Sequence, residues 1–329
     1  MTHETYHFFS PDFIYFATIA GAVAFNAVSV GIGQGLTGRA ALEAVNEQPS
    51  AYQSIIRTAL FGIALIETAA VIGSVVAFIL LLSASDGVLP TFFPSIASLG
   101  IACAACLPGF VLGIVSSLPA QAACMAVARQ PFLEQKIARF MLVMLSLLQT
   151  PVIFGLIIAL ILKSQLLAIE TLRDALRVIA SGICVGVGSI GPSLGLAFFM
   201  QKALQSLGRF KDSYQALASF IFISQAIIET PAIFTLIGSL LLLLVIPSVG
   251  SQENIVEGVR FICASLILGL GTIGAGLGSG GVAARVCEQI SYNPDKAPAL
   301  ARLGMFAQGI IETSVIYAFL LFLVLTFFK

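Results

Sequence analysis

One polar side chain returns at nearly fixed intervals through an apolar chain. Glu67, Gln149, Glu229 and Glu312 lie 82, 80 and 83 residues apart, each near the middle of an apolar stretch. Their surroundings repeat as Ile66-Glu67-Thr68, Leu148-Gln149-Thr150, Ile228-Glu229-Thr230 and Ile311-Glu312-Thr313. A carboxylate at the centre of a bilayer costs about 2.5–3.5 kcal/mol on insertion scales, so three of them at one address in a repeat imply a function. A glutamate escapes that cost by taking up a proton, or by holding a cation with the help of other oxygens. Either escape is a binding event. The plainer reading is that each Glu only bonds a neighbouring helix.

Composition agrees with a membrane setting. The 329 residues are 58% hydrophobic and 10% charged, with mean hydropathy +1.03, whereas charged residues make up about a quarter of soluble domains. The apolar stretches pair as 13–46 with 51–83, 95–128 with 133–163, 173–208 with 212–246, and 256–290 with 296–328. The expected fold is an all-α membrane protein of eight transmembrane helices in four tandem hairpins. These are hairpin 1 at 13–83, hairpin 2 at 95–163, hairpin 3 at 173–246 and hairpin 4 at 256–328, after an N-terminal segment at 1–12. Helices of about 30 residues, at 1.5 Å per residue, exceed the hydrocarbon thickness and project into the headgroups.

Polar punctuation marks the hairpin turns: Asn46-Glu47-Gln48-Pro49, Arg129-Gln130-Pro131, Gly208-Arg209-Phe210-Lys211 and Tyr292-Asn293-Pro294-Asp295. In or near these turns lie 11 of the 16 Lys and Arg residues, which places the turns in the cytoplasm and the termini and connectors opposite. A repeat of two spans returns the chain to the side it left, so the four copies share one orientation. The net charge of zero gives no footprint for nucleic acid. The six cysteines lie in apolar stretches without His partners, and Cys103-Ala-Ala-Cys106 lacks the βαβ context of a redox motif. His3, Glu4 and His7 precede the first span without a basic residue, so that span is expected to serve as its own insertion signal rather than as a cleaved leader.

The two helices of each hairpin differ. The first is rich in glycine, with pairs such as Gly31/Gly35, Gly191/Gly195 and Gly274/Gly278, which let backbones approach in a tightly packed inner layer. The second is bulkier and suits an outer layer against lipid. Counting back 33 residues from each site residue reaches Gln34, Ser116, Leu196 and Ser279 on the first helices. Antiparallel helices joined near Pro49 put Gln34 at the depth of Glu67. In the fourth copy Ser314 and Tyr317 follow Glu312 by two and five residues, and Tyr317 is placed to cap the carboxylate with its hydroxyl.

Gly31-Ile-Gly33-Gln34-Gly35, the turn Ala128-Arg129-Gln130-Pro131, and Gly309-Ile-Ile-Glu312-Thr-Ser-Val-Ile-Tyr317 resemble the ATP synthase c-subunit family, the proteolipid of rotary ATPases. The 33-residue interval matches as well, and the resemblance covers nearly the whole chain as four fused hairpins. Turn motif and hairpin length favour the F-type branch, while fusion is more familiar among vacuolar and archaeal relatives. The resemblance implies a homo-oligomeric membrane ring turning against a stator subunit that supplies an arginine. Its turns, at Gln48, Pro49, Arg129, Gln130, Pro131, Arg209, Asn293 and Pro294, would dock onto the central stalk of a soluble ATPase sector. Glu67, Glu229 and Glu312 match the ion-carrying positions, and Gln34, Thr68, Thr230, Thr313, Ser314 and Tyr317 match positions that hold the ion or orient the carboxylate.

Gln149 cannot ionise, which leaves three ions for four hairpins. The expected cargo is H⁺; Na⁺ is the alternative, because Gln34, Glu67 and Thr68 form a sodium-type set, although Leu196 and Ser279 replace that glutamine in copies three and four. No cofactor beyond the carried ion is implied. The chain has no phosphate loop and is expected to be a non-catalytic subunit. A bacterial plasma membrane is the location suggested by family habit. The other classes weighed are a proton-coupled secondary transporter, which would show varied and broken spans, and a structural proteolipid or pore.

Overall fold

Proline placement decides where these helices stop, start and break. In three hairpin turns Gln48, Gln130 and Asn293 precede Pro49, Pro131 and Pro294, and they adopt φ/ψ of −140°/80°, −131°/68° and −137°/73°. A proline ring disfavours helical conformation at the residue before it, and at these three turns the incoming helix stops there. Each of these residues donates its backbone N–H to the carbonyl four residues back, at Ala44, Ala126 and Gln289. The proline then opens the next helix through one 3₁₀ turn, where its missing N–H is no loss.

The structure, a computed structural model, describes residues 10–85, 91–209, 214–245 and 255–327. Most of the N-terminal segment, Phe210 and Lys211 of the third turn, and parts of the first and third connectors lie outside the described residues, as does the last residue of hairpins 3 and 4. Hairpin 1 is α1 (Pro11–Glu47) and α2 (Tyr52–Ser85). Hairpin 2 is α3 (Phe92–Val115) with α4 (Ser117–Arg129), then α5 (Glu134–Leu148) with α6 (Thr150–Gln165). Hairpin 3 is α7 (Leu172–Gly188) with α8 (Ile190–Arg209), then α9 (Tyr214–Leu244); hairpin 4 is α10 (Ile255–Tyr292) and α11 (Ala297–Phe327). Among the described residues eight helical spans are long and apolar enough to cross a membrane.

Three spans that read as single helices are each two helices in line, broken at Ser116, Gln149 and Ser189. A proline follows each break within three residues: Pro119, Pro151 and Pro192. Proline cannot donate to the carbonyl four residues back, which leaves an orphan acceptor inside the membrane. Two orphans find partners on the spot. The Leu147 carbonyl released by Pro151 accepts from the Thr150 hydroxyl at 2.7 Å. The Gly188 carbonyl released by Pro192 accepts from Thr272 of α10 at 2.9 Å.

The first helices of the hairpins form an inner row in chain order, α1 against α3/α4, these against α7/α8, and these against α10. The second helices lie outside, with Phe61, Phe78, Leu320 and Val324 among many large side chains exposed to the surroundings. The inner row depends on backbone contact. A Cβ at Gly33 would lie 2.0 Å from the Gly113 carbonyl oxygen, and one at Gly195 would lie 2.0 Å from that of Gly276. The ends of the row are bare: Gly31 and Gly35 on α1 and Gly274 on α10 have nothing within 4 Å of such a Cβ. The expected pairing therefore holds for Gly191/Gly195, while Gly31/Gly35 and Gly274 face open space.

A charged cluster holds the connector end of hairpins 3 and 4. Arg173, Asp174 and Arg177 are all buried; Arg173 pairs with Asp174 at 2.9 Å and with Glu257 of α10 at 2.7 Å. Arg177 donates to the Leu243 and Val245 carbonyls at the end of α9, capping acceptors that a helix terminus leaves open. The six cysteines are free thiols.

Candidate functional site

The four repeat positions lie on the outer helices, and three of them are next to the outer helix of the preceding hairpin. Gln149, 4% exposed, donates through Nε2 to the Leu65 carbonyl of α2 at 3.1 Å. The Glu229 carboxyl on α9 lies near the Thr150 hydroxyl of the preceding outer span. Glu312 on α11 is likewise beside the Thr230 hydroxyl of α9. Glu67 on α2 has no preceding hairpin in the chain, and it is exposed.

These hydroxyls are held in one state. Thr150, Thr230, Thr313 and Ser314 each donate to a carbonyl three or four residues back in their own span, at Leu147, Ala226, Ile310 and Ile311, over 2.7–3.1 Å. A hydroxyl whose proton is spoken for offers only lone pairs to its neighbour. Next to a carboxyl, such an oxygen accepts from the protonated form or ligates a cation. Oε1 of Glu312 is buried without a hydrogen-bond partner among the described residues, so the site has an open acceptor. No group of three or more metal-ligating side chains occurs among the described residues.

The other predicted residues fall into two sets. Gln34 on α1 is partly buried and donates to the Ile63 carbonyl at 3.5 Å, one turn before Glu67 rather than at the carboxylate itself. Thr68 is partly buried beside Glu67. Thr313, Ser314 and Tyr317 lie exposed on the outer face of α11, with Tyr317 70% exposed and not folded over Glu312. Ser116 and Ser279 are fully buried on the inner helices, and their hydroxyls have no partner among the described residues. The turn residues Gln48, Pro49, Arg129, Gln130, Pro131, Asn293 and Pro294 are at one end of the bundle, with Arg209 at the end of α8 beside the Tyr292 hydroxyl, 3.5 Å away.

Two residues escaped the sequence reading. Gln225 and Gln308, each four residues before a site glutamate, are buried at 2% and 0% exposure. They stand in apolar runs, and only aligning the four copies on the glutamates brings them to one address.

Comparison with known proteins agrees with this arrangement. The family profile described as the ATP synthase c-subunit matches residues 18–80, 99–162 and 262–325, more than half of the chain and one segment in each of hairpins 1, 2 and 4. ATP synthase c-subunit 2 of Cereibacter sphaeroides is 35% identical over 81 residues, 25% of this chain and 96% of the relative. The ATP synthase c-subunit of Chloroflexus aurantiacus is 33% identical over 64 residues, 20% of this chain and 84% of the relative. That of Dehalococcoides mccartyi is 32% identical over 72 residues, 22% of this chain and 95% of the relative. Each relative is thus matched over most of its length by a quarter of this chain or less, the share of one hairpin. With the repeated hairpin, the repeated site position and these matches in agreement, the chain belongs to the ATP synthase c-subunit family, as four hairpins fused in tandem.

Proposed function

We propose that Glu67, Glu229 and Glu312 carry ions across the membrane in a ring built from several copies of this chain. As a member of its family the chain is an integral, multi-pass, non-catalytic component of the rotor ring of an ATP synthase, with a role in ion translocation. The observation that supports the site assignment is directional. Gln149 bonds the outer helix before its own, Glu229 and Glu312 lie beside a threonine of theirs, and Glu67 has no such helix before it among the described residues. Thr313, Ser314 and Tyr317 are exposed at the opposite end of the row, the groups that a Glu67 from the next copy would meet by the same rule. Glycine register supports the same closure. Gly191 meets Gly276 inside the chain, and the repeat intervals make Gly274 of one copy meet Gly31 of the next.

A protonated glutamate can face lipid, and an ionised one needs a polar channel or a fixed cation. Every Lys and Arg of the chain is away from the carboxylate depth, so the stator subunit supplies the arginine that displaces the ion. The turns Gln48-Pro49, Arg129-Gln130-Pro131, Arg209 and Asn293-Pro294 dock onto the central stalk from the cytoplasmic side. The membrane is a bacterial plasma membrane, in keeping with the bacterial relatives. Three of the five basic residues away from the turns, Arg173, Arg177 and Arg260, are in ion pairs with Asp174 or Glu257, which supports that orientation. The cargo is H⁺. Gln34, Glu67 and Thr68 favour Na⁺ as the second reading, with Thr230, Thr313, Ser314 and Tyr317 completing sites from the neighbouring hairpin.

Carbodiimide labelling of the purified ring tests the assignment. Glu67, Glu229 and Glu312 should each be modified and each block ATP-driven transport, and Na⁺ should give no protection. Protection by Na⁺ would transfer the cargo to sodium. Full transport with Glu229→Gln and Glu312→Gln together would remove the carrier role.

A further inference from the structure

The repeat that places the carboxyls also places a carboxamide one turn before them, and not always on the same helix. In hairpin 1 Gln34 of α1 donates to the Ile63 carbonyl of α2, four residues ahead of Glu67. In hairpin 4 Gln308 of α11, four residues ahead of Glu312, donates through Nε2 to the Ser279 carbonyl of α10 at 3.3 Å. Both bonds join positions 29 residues apart, so they link the same two addresses in the hairpin. The amide has changed helices and the inter-helix bond has persisted.

Gln308 has no exposed surface, and its Oε1 accepts from the Ser224 hydroxyl of α9 at 3.0 Å. It ties α9, α10 and α11 together one turn from the Glu312 carboxyl. Gln225 holds this address in hairpin 3, with neither amide atom hydrogen-bonded among the described residues. The counterpart of Ser224 in hairpin 2 is Met144, which has no hydroxyl to offer. Side chains four apart share one helix face, about 5–6 Å between Cβ atoms. The unengaged amide of Gln225 is therefore a neighbour of Glu229. Hairpin 2, which has no carboxyl, has no such amide: its two addresses hold Ser116 and Leu145. The presence of Leu145 shows that the fold accepts a hydrocarbon there, and an amide buried without purpose is costly.

We infer that Gln225 and Gln308 are positioning residues for Glu229 and Glu312, equivalent to Gln34 for Glu67. Each hairpin with an ionisable carboxyl holds it with a carboxamide one turn away, supplied from the inner helix in hairpin 1 and from the outer helix in hairpins 3 and 4. Gln308 acts by pinning α11 to α9 and α10, whereas Gln225, with both amide atoms unengaged among the described residues, acts on Glu229 as its neighbour on the same helix face. The three sites, which differ at the address of Gln34, thereby become alike in donor chemistry. This assignment rests on the glutamates being the ion carriers.

Carbodiimide labelling of the assembled ring, resolved by mass spectrometry for each glutamate, tests the assignment. Gln308→Leu should raise the labelling rate of Glu312 by about threefold to tenfold, the range that one buried hydrogen bond is worth, and leave Glu67 and Glu229 unchanged. Gln225→Leu should act on Glu229 alone. Returning the amide from the other helix, by Gln308→Ile with Ser279→Gln, should restore the original Glu312 rate, a response that a space-filling role does not predict. An unchanged Glu312 rate, or an equal rise at all three glutamates, overturns the assignment and leaves the carriers in place. Absence of labelling at all three in the unsubstituted ring overturns the carriers and this assignment together.

Discussion

Gln149→Glu should turn the idle hairpin into a fourth carrier. Gln149 is 4% exposed and its Nε2 is 3.1 Å from the Leu65 carbonyl oxygen. A carboxyl of nearly the same shape would put one oxygen at that place. In its ionised form two acceptors would face each other, with a buried charge unpaired, an arrangement that costs about 3–5 kcal/mol when a buried pair is broken. Protonated, the new group donates to Leu65 and keeps a bond worth about 0.5–1.5 kcal/mol. The substitution is therefore tolerated with a proton or cation on board, and the ring should assemble. Carriers per chain rise from three to four, so the ion-to-ATP ratio should rise by about one third at fixed ring size. Vesicles containing the reconstituted complex, titrated to the ion gradient at which net ATP turnover is zero, measure that ratio directly. If the ratio is unchanged while carbodiimide reaches the new carboxyl, the carrier reasoning fails.

Gly31→Cys combined with Gly274→Cys, in a background without native cysteines, should cross-link one copy to the next on oxidation and give a ladder of multimers; a product confined to single chains would refute the predicted glycine register. Asp174→Asn should remove the counterion that Arg173 and Arg177 share in a site where all three side chains are only 4–6% exposed. The expected cost of about 3–5 kcal/mol would appear as a lower ring dissociation temperature, whereas Glu43→Gln, in an exposed pair with Arg39, should leave it unchanged. Equal effects of the two would argue against a structural role for the buried cluster.

Much of the arrangement was legible because it repeats. Four hairpins, the glycine faces and the carboxyl address all follow from residues that recur at one interval. The turns at Pro49, Pro131 and Pro294 were legible for a local reason, since each proline follows polar residues and disfavours helix at the residue before it. Other features depend on tertiary partners that one segment does not reveal. Pro108 and Pro231 lie inside unbroken helices, whereas Pro119, Pro151 and Pro192 follow breaks, and nothing in the local sequence separates the two outcomes. The buried pairing of Arg173 depends on Glu257, 84 residues further along the chain, and no local signal links the two. Gln225 and Gln308 were obscured by alignment to Gln34, because the amide had moved to the other helix of the hairpin.

Fusion of the hairpins has a consequence for how the rotor is counted. Three of every four contacts between neighbouring hairpins are settled when the chain folds, at an effective concentration that separate subunits do not reach. Only the α10-to-α1 seam is left for assembly between molecules. A ring built from this chain alone would change circumference only by whole chains. Its gearing would then be inherited in blocks of four positions, one of which, at Gln149, holds a group that cannot ionise.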